Sequence, residues 1–292
     1  MIISASYRTD IPAFYGAWFL TRLREGYCRI VNPYGGPAWT VPLTPSDVDG
    51  FVFWTRNIEP FVDILDHLRN QYPFVVQYTI TGYPRALEAS VAGTERAIGL
   101  VRALSRDHGV RSVVWRYDPI VSSSLTPPEW HLANFSALAS ALEGAVDEVV
   151  VSWAHVYRKT ARNMDAAARS GFTWDDPTDE RKRALLTRLA EIAMGHRMTL
   201  SLCGQPTLLP EGLSEARCID AIRLSDVAGH PIQATAKPHR PCACAQSRDI
   251  GAYESCPHGC VYCYAVASRT AAKRAFATHD PTHPFLIPQA RG

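Results

Sequence analysis

The chain has 292 residues, of which 47% are hydrophobic and 20% are charged, and its formal net charge is +2. This composition is ordinary for a globular protein with a large core, and the charge is too small to indicate a nucleic-acid partner or a membrane surface. The start, MIISASYRTD, lacks the pattern of a secretion signal, and no apolar run approaches the roughly 18 residues of a membrane span. We therefore expect a cytoplasmic protein without a membrane partner, whose cysteines stay reduced and can bind metal or do chemistry.

Short apolar and β-branched segments alternate with amphipathic segments along the first two thirds of the chain. The strand candidates are residues 2–6, 51–55, 74–81, 112–117, 148–153 and 198–203, and the helix candidates are 13–25, 58–70, 86–107, 127–143, 157–170 and 178–195. A hairpin-like insertion, 27–43, interrupts the first crossover. Such alternation predicts a parallel sheet covered on both faces, built either as a barrel or as a doubly wound sheet. We favour a (βα)6 partial TIM-type barrel over residues 1–203.

Residues 204–292 form a cysteine-rich segment in which the regular periodicity fades. We expect it to pack on the mouth of the barrel, within one integrated domain, and to contain a last helix over 262–276. All of the eight cysteines except Cys28 lie in the last third of the chain. This concentration of thiols predicts a built metal site, whereas Cys28, in the hairpin, is expected to be structural.

Charged residues follow two of the strand candidates, at the point where each strand ends. They are Arg8 with Asp10 and Arg116 with Asp118. Catalytic groups of βα folds gather at the carboxyl ends of the strands. We therefore take these four residues as candidate catalytic residues for a small anionic or nucleotide-like substrate. The alternative is that the arginines and aspartates are only ion pairs.

Three more strand-end residues are candidate cofactor contacts. They are Trp54, Arg56 and Ser152. An arginine suits a carboxylate ligand, and a tryptophan can stack on a base, although tryptophan at a strand end is more often part of a core.

The run CPHGCVYC, residues 256–263, carries three cysteines with C-x3-C-x2-C spacing. A structural zinc site commonly closes four corners with two C-x2-C pairs. Three thiolates from one loop can instead hold three corners of an iron–sulfur cube and leave the fourth iron open. The run resembles the C-x3-C-x-aromatic-C motif of the radical S-adenosylmethionine (SAM) enzymes. That resemblance implies a [4Fe–4S] cluster on Cys256, Cys260 and Cys263. It also implies SAM at the open iron and Tyr262 near the adenine.

The position of this run departs from the radical SAM pattern. In that superfamily the cysteine loop follows the first strand, whereas here it follows the sixth βα unit, and FVFWTRNIEP lacks the Gly-Gly-Glu type signature. Either the loop enters the mouth in a permuted order, or SAM is not the ligand. A radical SAM-like activity also implies an electron donor such as ferredoxin or flavodoxin.

Nearly the whole chain resembles the bacterial domain-of-unknown-function family 1848. The resemblance is carried by ISASYRTDIPAFYG, VFWTRN, YTITGYPR, WRYDPI, CACAQSRDIGAYESCPHGCVYCYA and HDPTHPFLI. It brings no activity with it, but it supports treating the cysteines as one set.

Four further cysteines suggest a second site. They are Cys203, Cys218, Cys242 and Cys244. Four thiolates can complete an auxiliary [4Fe–4S] cluster or a structural zinc site, or some of these cysteines are simply buried apolar residues. Three functions stay open: a radical SAM-like enzyme, an iron–sulfur or electron-transfer protein that does not use SAM, and a zinc-stabilised barrel. In the zinc-stabilised barrel, Asp10 and Asp118 would do acid–base work.

Overall fold

The computed structural model describes residues 1–32, 35–236 and 242–288. The strands are β1 (Ile2–Ala5), β2 (Tyr27–Ile30), β3 (Trp39–Pro42), β4 (Gly50–Thr55), β5 (Phe74–Thr79), β6 (Val113–Ile120), β7 (Glu148–Trp153), β8 (Thr199–Leu202), β9 (Ser214–Glu215) and β10 (Ser247–Asp249). The helices are α1 (Ile11–Phe14), α2 (Gly16–Glu25), α3 (Val62–Leu68), α4 (Thr94–His108), α5 (Pro128–Leu142), α6 (Arg158–Ala168), α7 (Asp179–Gly195), α8 (Ala221–Ala228) and α9 (Arg269–Ala277).

One parallel sheet of eight strands organises the molecule. Its order is β10–β1–β4–β5–β6–β7–β8–β9. The inner six strands are the predicted ones, so the prediction of an α/β protein with a parallel sheet is confirmed. The sheet is open within the described residues, because β10 and β9 form its two edges and do not pair with each other. These two edge strands were not predicted, since segments of three and two mainly polar residues carry no apolar pattern.

Alternation along the inner strands divides their side chains between two cores. Phe51 and Phe53 of β4 belong to a large core with residues of α2, α3, α4, α5 and α7. Val52 of the same strand belongs to a smaller core on the opposite face, together with Leu224 of α8. The helices of the large core therefore lie on one face of the sheet, and part of the cysteine-rich segment covers the other.

The hairpin insertion forms as predicted, with β2 and β3 antiparallel and Cys28 opposite Val41. Residues 33 and 34 lie outside the described part of the chain. Cys28 is fully buried in the large core, and burial raises its thiol pKa to about 12. This environment agrees with a structural role.

Two predicted helices begin later than their sequence pattern indicates. The helix predicted over 86–107 starts only at Thr94, and the residues before it form a loop after β5. The helix predicted over 262–276 starts only at Arg269, because Ser268 caps it by accepting a hydrogen bond from the backbone N–H of Ala271 at 3.2 Å. The two loops that precede Thr94 and Arg269, where helix was predicted, both carry residues of the candidate site.

No helix in the described ranges is both long enough and apolar enough to cross a bilayer.

Candidate functional site

Residues 255–264, the cysteine loop, lie against the carboxyl ends of the inner strands. The hydroxyl of Tyr15 donates to the carbonyl of Ser255 at 2.6 Å. The backbone N–H of Val261 donates to the carbonyl of Leu87, in the loop after β5, at 3.0 Å. The cysteine run thus sits where βα folds place their chemistry, although it comes from the far end of the chain.

The three thiols of the cysteine loop are close enough to interact electrostatically. Burial raises the pKa of Cys256, Cys260 and Cys263, and a negative charge on Cys263 raises the pKa of each of the other two further. The sulfur of Cys263 also accepts a hydrogen bond from the backbone N–H of Ala265 at 3.4 Å. Three half-buried thiols and an N–H directed at sulfur match the donor chemistry of iron–sulfur ligation.

Metal-holding geometry is not preformed in the described part of the chain. No group of three or more His, Cys, Asp or Glu side chains there is arranged to hold a metal ion. The thiols would have to lose their protons and change orientation to bind one.

Asp10 ties the cysteine loop to the ends of β1 and β4. One carboxylate oxygen caps α1 by accepting from the backbone N–H of Ala13 at 2.9 Å. The other accepts from the backbone N–H of Arg56 at 2.8 Å and lies 2.8 Å from Nε2 of His258, inside the cysteine loop. Asp10 has no free oxygen, so in this arrangement it positions the loop.

Arg56, Glu88 and Tyr262 form a buried polar triad beside the thiols. The Arg56 guanidinium lies 2.6 Å from Glu88 and donates to the Tyr262 hydroxyl at 2.6 Å, and that hydroxyl donates to Glu88. Burial opposes the charge on Arg56, yet Glu88 and Tyr262 raise its pKa above the usual range. Two predicted cofactor contacts, Arg56 and Tyr262, are therefore in direct contact. Glu88 was missed because it fell inside the helix predicted over 86–107.

Arg8 pairs with a residue that sequence reasoning missed, Asp249 at the end of β10. Arg8 Nε lies 3.7 Å from Asp249, and the guanidinium lies 5.2 Å from the ring centroid of Tyr253. The hydroxyls of Ser4 and Ser6 donate to the same carboxylate at 2.8 Å each. Burial raises the pKa of Asp249. The partner of Arg8 is thus Asp249, supplied by an edge strand, and the structure shows no ion pair between Arg8 and Asp10.

Arg116 and Asp118 do meet, together with Trp54 and Ser152. The Arg116 guanidinium lies 2.5 Å from Asp118 and 4.8 Å from the Trp54 ring centroid, and Ser152 donates to the other Asp118 oxygen. Burial disfavours the Arg116 charge, but Asp118 and Cys218 raise its pKa well above the usual range. These four predicted residues form one cluster.

Each of the three strand-end arginines has an acidic partner. The pairs are Arg8 with Asp249, Arg56 with Glu88, and Arg116 with Asp118. In this structure all three arginines are therefore ion-paired, which is the alternative to a ligand-binding role given in the sequence analysis. A ligand carboxylate would have to join or replace an existing partner. A cavity of about 160 Å³ borders the Arg56–Glu88 pair and is lined mainly by the loop after β5.

The four remaining cysteines gather on the opposite face of the sheet from the large core. Cys218 and Cys244 are buried in the smaller core, and Cys203 and Cys242 pack against it. The sulfurs of Cys203 and Cys218 are 3.3 Å apart, and Arg116 donates to the Cys218 sulfur at 3.1 Å. We call these four cysteines the second thiol set.

A family model described as Domain of unknown function (DUF1848) matches residues 2–265. The matched range includes both the cysteine loop and the second thiol set. No curated protein and no solved structure matches the chain.

Proposed function

Because the chain belongs to the DUF1848 family, whose description names no activity, its function must be inferred from its own residues, and we propose a radical SAM-like iron–sulfur enzyme. In this proposal, Cys256, Cys260 and Cys263 hold a [4Fe–4S] cluster. SAM occupies the open iron, and a small anionic or nucleotide-like substrate binds in the mouth. A cytoplasmic ferredoxin or flavodoxin is the class of electron donor that such an activity needs.

The observation that carries the proposal is the contact of the cysteine loop with the strand ends. Three half-buried thiols lie in one loop at the carboxyl edge of a parallel sheet, held there through Asp10 and Leu87. This edge is where βα folds bind cofactors. When bound, the cluster would supply the electron that cleaves SAM to a 5′-deoxyadenosyl radical.

A permuted partial barrel is the fold that we propose for this activity. The helices that belong to the large core lie on one face of the sheet, as the crossover helices of a barrel do. The first and sixth of the inner strands, β1 and β8, are each extended by one short edge strand from the cysteine-rich segment. That segment would thus act as the last part of a barrel formed by residues 1–203.

The triad beside the thiols offers both charges that the amino-acid end of SAM requires. Arg56 can pair with a carboxylate and Glu88 with an ammonium group, and the two already lie 2.6 Å apart beside a cavity. The Tyr262 hydroxyl is held by both residues, which fixes the orientation of its ring next to the loop. We assign SAM binding to these residues. Arg8, Arg116 and Asp118 are assigned to the substrate side of the mouth, and Asp10, whose oxygens are both occupied, is assigned to positioning the cysteine loop beside it.

The deciding experiment is anaerobic purification followed by iron, sulfide and product analysis. We expect brown protein, and 5′-deoxyadenosine once SAM and dithionite are added. Cys260→Ala should abolish that product and remove the iron of this cluster, whereas Cys28→Ala, which also removes a buried thiol, should change neither. A fully loaded and reduced protein that releases no nucleoside would falsify the SAM assignment.

The pairing of all three arginines favours a second candidate, an iron–sulfur protein that does not use SAM. Under this function the open iron takes a substrate oxygen or a side chain. Iron and sulfide without 5′-deoxyadenosine would support it. Zinc in the cysteine loop, with no iron, would instead support a zinc-stabilised barrel.

A further inference from the structure

The second thiol set is assembled from segments that are far apart in the chain. Cys203 follows β8, Cys218 follows β9, and Cys242 and Cys244 precede β10. Because β9 and β10 are the two edges of the sheet, these segments meet across the face that the large core does not cover. The backbone N–H of Ala245 donates to the carbonyl of Ile219 at 2.9 Å, so the meeting is a direct contact.

The sulfurs of Cys203 and Cys218 are closer together than two ligands of an iron–sulfur cube would be. The Cys203 and Cys218 sulfurs are 3.3 Å apart, and Cys244 is buried in the same small core. In a tetrahedral zinc site with Zn–S bonds of about 2.3 Å, two thiolates lie about 3.8 Å apart. The ligands of a cube bind separate irons and are spaced more widely. The Cys203–Cys218 contact is therefore near the spacing for one shared ion, and the described side chains would have to reorient to complete the site.

We propose that Cys203, Cys218, Cys242 and Cys244 bind a single thiophilic divalent cation, of the zinc class, in a closed tetrahedral site. Binding releases the four S–H protons to solvent, and four metal–sulfur bonds form in place of the Cys203–Cys218 hydrogen bond. The site is independent of the cluster in the cysteine loop. It would join the two edges of the sheet through one ion.

The surroundings of the sulfurs suit a negatively charged metal–thiolate group. Four thiolates around a divalent cation leave an excess of negative charge. Arg116 donates to the Cys218 sulfur at 3.1 Å and so places a positive charge against it. Gln77 donates to the backbone carbonyl of Cys218 at 3.0 Å and fixes the position of that ligand. Such outer partners hold metal ligands in orientation.

The test measures zinc and iron together in the full chain, purified without oxygen from medium supplied with both metals. We expect one zinc per chain in the parent protein and in Cys260→Ala. We expect no zinc but unchanged iron in Cys244→Ser. Cys28→Ser is the matched control, because it changes a buried thiol outside the set, and it should keep both metals.

A chelator experiment on the parent protein covers the case in which Cys244→Ser does not fold. Removal of zinc should make four additional thiols reactive, and Co²⁺ added in its place should give the visible spectrum of a tetrahedral thiolate complex. Iron and sulfide sufficient for two clusters would overturn the proposal. So would zinc that persists in Cys244→Ser, or four thiols that react fully before any metal is removed. None of these outcomes depends on the activity of the cysteine loop.

Discussion

The two groups of cysteines differ in how the chain brings them together. The cysteine loop draws its thiols from residues 256–263, and the fold contributes the surface on which the loop rests. The second thiol set draws on three separate segments, which the sheet and its two edge strands bring together. In our proposals, the first arrangement would provide three ligands and leave a position open, which suits chemistry. The second would provide four ligands, which suits closure of the fold.

Metal removal should separate the two groups most strongly. We expect chelation of the second thiol set to lower the melting temperature sharply, because structural zinc can contribute about 10 kcal/mol or more to folding. Loss of iron through Cys260→Ala should change the melting temperature far less. Calorimetry of the two demetallated forms measures the difference. Equal destabilisation by both losses would remove the distinction between an open and a closed site.

Removing the acidic partner of Arg56 and removing that of Arg116 should destabilise the protein to different extents. Glu88→Gln leaves the Arg56 charge without its carboxylate partner and should cost about 3–5 kcal/mol of the free energy of unfolding. Asp118→Asn should cost less, because the Asp118 side chain is 19% exposed whereas that of Glu88 is 4% exposed, so water screens the Arg116–Asp118 pair more. Urea unfolding of the two variants provides the comparison. A larger loss in Asp118→Asn would contradict this ranking.

Low pH should destabilise the protein through the titration of His131, which lies outside both groups of cysteines. Burial lowers the pKa of His131 to about 4, and the ring lies between the Tyr117 hydroxyl and the Val121 carbonyl. The unfolded chain therefore takes up a proton below its usual pKa of about 6.5, while the folded chain does not. Stability should fall as pH drops from 6.5 to 4, by about 3 kcal/mol over this range.

The measurement is the difference in unfolding free energy between the parent protein and His131→Gln at several pH values, both free of metal. The variant should be less stable at neutral pH, since it loses hydrogen bonds, but it should show a smaller decline in acid. Parallel pH profiles would show that His131 is not the group responsible.

The smallest effect concerns two helix caps, one beside each group of cysteines. Asp10 caps α1 and holds His258, whereas Asp220 caps α8 by accepting from the backbone N–H groups of Ile222 and Arg223 in that helix. Each replacement by Ala should cost about 1 kcal/mol through the lost cap, and Asp10→Ala should cost more in total because it also removes the contacts with Arg56 and His258. Asp10→Ala should also lower the iron content, and Asp220→Ala should not. Iron analysis of the two variants, alongside their unfolding curves, would sharpen the difference between the groups.

Elements with a strong local signal were predictable from the sequence. The six inner strands are apolar runs, and the sequence places them correctly even though it does not reveal that the sheet is open. The cysteine loop was identifiable because its spacing is local. Glu88 and Asp249 were not identifiable, since their roles depend on partners from distant segments, Arg56 and Arg8. The contacts within the second thiol set could not be predicted from the sequence for the same reason, although the number of its cysteines indicated a site.

The place of β1 in the sheet has a consequence for synthesis of the protein. β1 is made first, yet one of its two neighbours is β10, near the end of the chain. At ribosomal rates of about 5–20 residues per second, one side of β1 waits on the order of ten to fifty seconds for its partner. During this time the nascent chain exposes an unpaired strand edge, which can attract other chains. Only when residues 247–249 emerge can the carboxylate of Asp249 meet Ser4 and Ser6. Completion of translation thus times the final assembly of the mouth.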